Sequence, residues 1–312
     1  MDNVKNYGLP YKGSKNGIAE QIINFLPQGK RLVDLFGGGG AISHCAVLSG
    51  KWSHVLYNEF DSFVYNALTS AVAGKYNNEN RWVSRDEFFE LKNSDPYVAF
   101  CFSYCSNLKD YAYAREIEPW KKALHYAKIF NDTSLFEEMG IYTDGSTQDI
   151  SNHVDEYRSL YTKWLGDELT VDAHHKMDYF TLLQNVPRVY RLRDMSNLSK
   201  SRYRGCLTTT NGSYDEYEYK EGDVVYCDPP YENTNCGNYN GFDSQRFYDW
   251  VYSRPYQVFF SSYEITDKRF YTVWQTEKRA LSSIYNITKT EYIYSNKPYE
   301  KRKLMKNRFV FG

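Results

Sequence analysis

Residues 31–48 read Arg31-Leu-Val-Asp-Leu-Phe-Gly-Gly-Gly-Gly-Ala-Ile-Ser-His-Cys-Ala-Val-Leu48, and the order of events in this stretch decides the fold. An apolar run of strand length comes first, a glycine turn at Gly37 to Gly40 second, and a segment with Ile42 and Cys45 on one helical face third. That is the opening of a βα unit. His54-Val-Leu-Tyr57 supplies a second strand ending in Asn58-Glu59, after which Phe60, Phe63, Ala67, Leu68 and Ala71 make the next helical stripe. Strand, helix, strand, helix predicts an α/β fold with a parallel sheet. Upstream, Ile18, Ile22, Phe25 and Leu26 predict a helix from Asn16 that Pro27-Gln28-Gly29 closes.

The alternation stops near Asn77 and returns after Gly212. Between them the sequence reads as helical or irregular, with helices expected over 119–130, 154–165 and 178–183. Beyond it, strands are expected over 223–227 and 257–261, a helix over 242–252, and late strands over 283–295 and 307–311. Residues 1–76 and 213–312 therefore read as one sheet domain, and 77–212 as an inserted, mainly helical subdomain.

A chain of 312 residues with 42% apolar composition can bury one sizeable core and a smaller second one. No apolar run reaches bilayer length, and Met1-Asp2-Asn3-Val4-Lys5-Asn6 lacks the apolar core of a secretion signal, so a cytosolic protein without a membrane partner is expected. The cysteines are scattered without Cys-x-x-Cys spacing, and the adjacent His174 and His175 are poorly placed to share an ion, so neither a disulfide framework nor a metal site is expected. The remaining histidines read as structural. The net charge of −1 hides two basic stretches. Arg188, Arg191, Arg193, Lys200, Arg202 and Arg204 face the single acid Asp194, with Tyr190 and Tyr203 interleaved, and a second run lies over 297–308. Each is either a phosphate-contacting surface or an ordinary solvated face.

The chemistry is concentrated after the strand Asp223-Val-Val-Tyr-Cys227, where the chain continues Asp228-Pro-Pro-Tyr231. The two prolines stiffen the turn and offer no N–H, leaving a carboxylate, free carbonyls and an aromatic ring at a sheet edge. Such a set suits an amino group on a flat ring. An exocyclic amine such as adenine N6 has its lone pair delocalised, and the Asp228 carboxylate and Pro229 carbonyl are acceptors able to localise it, with Pro230 holding the turn and Tyr231 stacking on the base. A glycine turn between strand and helix, followed by an acid at the end of the next strand, is the arrangement of a nucleotide site. Gly37 to Gly40 and Glu59 fit it, although Ser43 replaces the third small residue of a dinucleotide fingerprint.

With these motifs in this order, the sequence resembles the Dam-like, class α (D12-type) adenine-N6 DNA methyltransferases. The resemblance implies a Rossmann-like S-adenosylmethionine-dependent methyltransferase sheet whose insertion is a target-recognition subdomain. Leu9-Pro-Tyr-Lys-Gly-Ser-Lys15 is similar to the family's N-terminal aromatic-Gly-x-Lys motif, which implies that Tyr11 and Lys15 border the methionine pocket. Asp34-Leu-Phe-Gly-Gly-Gly-Gly40 is similar to the cofactor loop, implicating Asp34, Phe36, Gly37 and Gly39. Glu59 stands where the family has its ribose-binding acid, Ser213-Tyr214 where a polar-aromatic pair flanks the cofactor adenine, and Asp228 to Tyr231 where it has its catalytic motif, Asp228 also bordering the cofactor. For double-stranded DNA the resemblance points to Lys12, Asn107, Lys109, Arg188, Arg191 and Arg202. Where many relatives carry an aromatic-Asn-Gly segment with a nearby Arg, this chain has Ser103-Tyr-Cys-Ser-Asn-Leu-Lys109. The implied reaction is methyl transfer to N6 of a flipped-out adenine by a prokaryotic or phage-encoded enzyme, without metal, acting as a monomer or weak dimer. The alternatives are transfer to adenine N6 of RNA or to cytosine N4 of DNA, or a non-catalytic DNA-binding protein with the same fold.

Overall fold

The computed structural model describes residues 6–115, 117–139, 187–232, 241–279 and 288–299. The helices expected over 154–165 and 178–183, the strand over 307–311 and the basic residues after 299 lie outside the described residues.

Seven strands form one sheet: β1 (Arg31–Asp34), β2 (His54–Glu59), β3 (Leu207–Asn211), β4 (Asp223–Cys227), β5 (Val258–Ser262), β6 (Tyr271–Arg279) and β7 (Thr288–Ser295). Their order across the sheet is β3-β2-β1-β4-β5-β7-β6. The five from β3 to β5 run parallel, and β7 is antiparallel to both β5 and β6. This is a mixed α/β, Rossmann-like architecture with an antiparallel hairpin at one edge. Helix α1 (Ala19–Phe25) precedes β1; parallel pairing demands crossovers, and α2 (Ala41–Ser49) and α3 (Ser62–Val72) follow β1 and β2 where helical periodicity places them. Asp61 starts α3 by accepting the Phe63 and Val64 amides.

The central strands are buried on both faces, which is why β1, β4 and β5 read as nearly continuous apolar runs. On one face Val33, Leu35, Val225, Val258 and Phe260 pack with Phe247 and Val251 from a helix over Ser244–Tyr252. That helix starts at Asp243, whose side chain accepts the Arg246 amide. Two edge strands escape periodicity analysis. Leu207–Asn211 and Tyr271–Arg279 carry Thr, Gln, Glu and Lys on partly exposed faces, so only their ladders with β2 and β7 reveal them.

The chain divides into two compact units, residues 78–190 and the remainder. The 78–190 unit ends earlier than the limit of 212 read from sequence for the insertion. Residues 191–212 go with the sheet, because β3 pairs with β2 from Val55↔Leu207 to Glu59↔Asn211. The second unit contains α4 (Arg85–Leu91), α5 (Pro96–Phe102), α6 (Glu118–Phe130) and α7 (Ser134–Glu138), and the division passes through α8 (Pro187–Asp194). Ser84 and Glu87 form a capping box on α4, and Asp95 with Pro96 starts α5. The core of this unit is aromatic: Trp82 stacks on Tyr113 at 5.6 Å and Trp120 meets Phe136 edge-on at 5.1 Å.

Candidate active site

Because β1 lies between β2 and β4, the loops leaving β1 and β4 emerge side by side at the carboxyl edge of the sheet, where a ligand crevice forms in such folds. The loop after β1 is drawn tight. Leu35 N–H donates to Tyr226 O at 3.0 Å and Gly37 N–H to Asn58 O at 2.8 Å. A Cβ on Gly37 would lie 2.1 Å from the Tyr57 ring, so glycine is required there. The N-terminal segment lies directly on the loop: Leu9 N–H donates to Gly39 O at 2.7 Å, and a Cβ on Gly39 would lie 2.7 Å from Tyr11 Cβ. Tyr11, Gly37 and Gly39 are thus brought together. From the end of β2, the buried Glu59 carboxylate accepts Gly38 N–H at 2.7 Å and Asp61 N–H at 2.8 Å, and Tyr57 O–H donates to Gly38 O at 2.8 Å.

The loop after β4 carries Asp228, and the fold brings Lys15 to it from 213 residues away. The Lys15 ammonium, only 5% exposed, lies 2.7 Å from one Asp228 oxygen and 2.8 Å from the other, and 3.3 Å from the carboxylate of Glu291 on β7. Tyr231 O–H is 3.0 Å from Asp228 Oδ1 and also in hydrogen-bond contact with Glu291, while its ring lies 4.8 Å beneath the Lys15 ammonium. Tyr263 meets the Tyr231 ring edge-on at 4.9 Å. Pro229 is buried and Pro230 half-buried between these groups and the end of the strand. Lys15 therefore belongs to the carboxylate cluster of Asp228 and Glu291.

The electrostatics follow from burial and charge count. Burial works against the Lys15 cation, but the Asp228 and Glu291 carboxylates overcome it and hold its pKa above the ordinary lysine value. Burial lifts the Asp228 carboxyl above the usual range; Lys15 pulls it down and Glu291 pushes it back up. Tyr231 stays a phenol because burial, then Asp228, then Glu291 disfavour its anion. Asp34, at the end of β1, is pushed to about 7 by burial despite accepting the Ser43 hydroxyl at 2.7 Å, with Asp228 and Glu59 adding to the shift. On the far side of the loop, Phe36 stacks on Tyr214 at 5.1 Å, and Phe242 and Phe247 meet Phe36 edge-on. Ser213 next to Tyr214 donates its hydroxyl to Asp215.

The residues expected to touch DNA are scattered in role. Arg191 Nη2 donates to the Tyr7 and Leu9 carbonyls, each at 3.1 Å, and so ties down the N-terminal segment. Within the second unit, Arg188 donates to the Ser103 carbonyl and Asn107 closes a turn by accepting the Lys109 and Asp110 amides. Lys12, Lys109 and Arg202 are exposed, Arg202 lying over the Tyr203 ring at 4.6 Å. Among the histidines, His44 accepts the Gly8 amide at 3.0 Å, and burial lowers its pKa to about 4, a structural part.

Sequence reading missed Glu291. Its signal was present: the carboxylate stands in phase with Ile293 and Ser295, both fully buried, on a strand rich in aromatic and β-branched residues. A charge at an inward position of a strand marks either a fault or a site. Among the described residues, no group of three or more His, Cys, Asp or Glu is placed to hold a metal ion, and no helix is long and apolar enough to cross a membrane.

Two comparisons with known proteins bear on this geometry. The model of the D12 class N6 adenine-specific DNA methyltransferase family matches residues 11–135, which carry Tyr11, Lys15, the glycine loop and Glu59. Over 238 residues the chain is 25% identical to the DNA N-6-adenine-methyltransferase of Escherichia phage P1, a match covering 75% of this chain and 25% of that protein. The chain thus corresponds to about a quarter of the length of that relative.

Proposed function

We propose that this chain, whose residues 11–135 match the D12 class of N6 adenine-specific DNA methyltransferases, transfers a methyl group to N6 of an adenine in double-stranded DNA. The observation that carries the reading is the Asp228 carboxylate, delivered by β4 beside the glycine loop and clamped by a buried lysine. The methyl donor is S-adenosylmethionine, and the donor set fits it. The Asp228 and Glu59 carboxylates both push the buried Asp34 carboxyl up, a negative field at the loop that a sulfonium and an α-ammonium group relieve. Phe36 with Tyr214 supplies a flat apolar surface for an adenine. When bound, the donor supplies an electrophilic methyl on a positively charged sulfur that departs as a neutral thioether, so no acid is needed for the leaving group.

The chain's own residues act on the amine. Asp228 and the Pro229 carbonyl accept its hydrogens and draw the lone pair out of the ring, an interaction strongest as the nitrogen becomes tetrahedral. The nitrogen gains one carbon bond and sheds one proton, and Asp228 is the adjacent base, its carboxyl already lifted by burial. Lys15 keeps the carboxylate ionised and oriented, and Tyr231 offers its ring to the base. A base held in a duplex must be extruded to reach such a pocket. The 78–190 unit, with Lys109, is assigned to target recognition; in the sheet unit Lys12 and Arg202 are assigned to phosphates, which orient the duplex without specifying it.

The test is the product. Duplex DNA incubated with the protein and S-adenosylmethionine, digested to nucleosides and analysed by mass spectrometry, is expected to yield N6-methyladenine. N4-methylcytosine, or methylation confined to RNA, overturns the substrate assignment.

A further inference from the structure

The catalytic-motif carboxylate is not held by its lysine alone. Lys15 Nζ is shared between Asp228 at 2.7 Å and Glu291 at 3.3 Å, and the Tyr231 hydroxyl is likewise shared between the same two carboxylates. The four groups come from the N-terminal segment, the β4 turn and β7, and Glu291 is 1% exposed. A buried carboxylate is costly, and a Gln of the same shape would fill the site at lower cost. Its presence needs a reason in the chemistry.

Resting on the function proposed above, the geometry points to Glu291 as a positioning residue: from β7 it holds the Lys15 ammonium and the Tyr231 hydroxyl so that neither is spent wholly on Asp228, which stays a strong acceptor for the amine. The charge count supplies the mechanism. One cation facing one carboxylate makes a saturated neutral pair whose oxygens are poor acceptors. The same cation facing two carboxylates leaves a net negative charge, and the exposed member of the pair is Asp228, at 19% against 1% for Glu291. Glu291 also acts directly, raising the Asp228 carboxyl by like-charge repulsion. Among the described residues, the other titratable groups facing Asp228 are Asp34 from β1, Tyr226 and Cys227 from β4, and Tyr263 after β5. Among these facing groups Glu291 is the carboxylate that shares Asp228's own lysine and tyrosine partners.

The experiment compares the wild-type chain with Glu291→Gln, which keeps shape and loses charge, and Glu291→Asp, which keeps charge. The titration of Asp228 is followed by carbon NMR of carboxyl-labelled aspartate, with Asp228→Asn identifying the resonance. In Glu291→Gln the Asp228 midpoint is expected to fall by about one pH unit or more, as on removing a close like charge, and in Glu291→Asp to stay within a few tenths of a unit of wild type. In the methylation assay Glu291→Gln is expected to lose about ten- to a hundredfold in kcat, with KM for DNA and S-adenosylmethionine changed less than about threefold and the acid limb of the pH profile moved down with the midpoint. An unmoved midpoint in Glu291→Gln, or equal loss of kcat in the Gln and Asp variants, overturns the assignment. A wild-type chain that methylates no DNA while the midpoint moves as stated retires the proposed function and leaves the coupling of Glu291 to Asp228 standing.

Discussion

Replacing Lys15 by Met removes one charge from the cluster and keeps most of the side-chain volume, and the consequence for stability can be worked from the distances. At 2.7 Å from Asp228 and 3.3 Å from Glu291, the ammonium gains about 6 and about 5 kcal/mol of attraction at an effective dielectric constant of about 20. Taking the ammonium out of water costs several kcal/mol in return, and the carboxylates pay for their own burial whether or not the lysine is there. Deleting the partner therefore leaves stranded charge, and the expected loss is about 3–5 kcal/mol at pH 8. The sign of the pH dependence follows from Asp228. Its folded pKa is already raised by burial and by Glu291, and loss of Lys15 removes the influence that lowers it. A carboxyl raised above its unfolded value destabilises the fold increasingly as pH climbs through the folded pKa, and costs nothing below the unfolded one. The destabilisation of Lys15→Met is accordingly expected to be largest near pH 8 and much smaller near pH 5. Urea unfolding of wild type and variant at the two pH values measures it. A loss below about 1 kcal/mol at pH 8, or one equal at both, refutes the picture of a cation buried between two carboxylates.

Asp228→Ala is expected to slow methylation by about two to three orders of magnitude, the effect of losing one group that binds the transition state, with cofactor affinity little changed; near-normal turnover removes Asp228 from its role. Gly39→Asp is expected to abolish S-adenosylmethionine binding, because its side chain must displace Tyr11 and Leu9 from the loop, and calorimetry showing wild-type affinity would place the cofactor elsewhere. Arg202→Ala is expected to flatten the slope of log K against log salt for duplex DNA by about 0.9, whereas Arg191→Ala leaves the slope unchanged and lowers stability, since its guanidinium serves the Tyr7 and Leu9 carbonyls; the opposite pattern returns Arg191 to the DNA surface.

What the sequence determined by itself is the chemistry that is local along the chain. Residues 31–48 carry strand, turn and helix in one uninterrupted stretch, so periodicity and glycine spacing were enough to place β1, the loop and α2 within a residue or two. Asp228 to Tyr231 likewise declares itself, because four adjacent residues hold a carboxylate, a stiff turn and a ring. The tertiary structure decided whatever depends on which strand lies beside which. Lys15 and Asp228 stand 213 residues apart, and Glu291 and Tyr231 stand 60 apart. No period of 2 or 3.6 residues links such pairs; the packing of the N-terminal segment on the glycine loop brings in Lys15, and the strand order that sets β7 next to β5 brings in Glu291. The same holds for β3 and β6, whose polar faces give no apolar signal until a neighbouring strand supplies the hydrogen bonds, and for Arg191, which lies in a basic run but turns its Nη2 to two backbone carbonyls. Charge along a sequence states what a side chain carries; only packing states what it faces, because a buried donor or carboxylate must find its partner wherever the fold brings one.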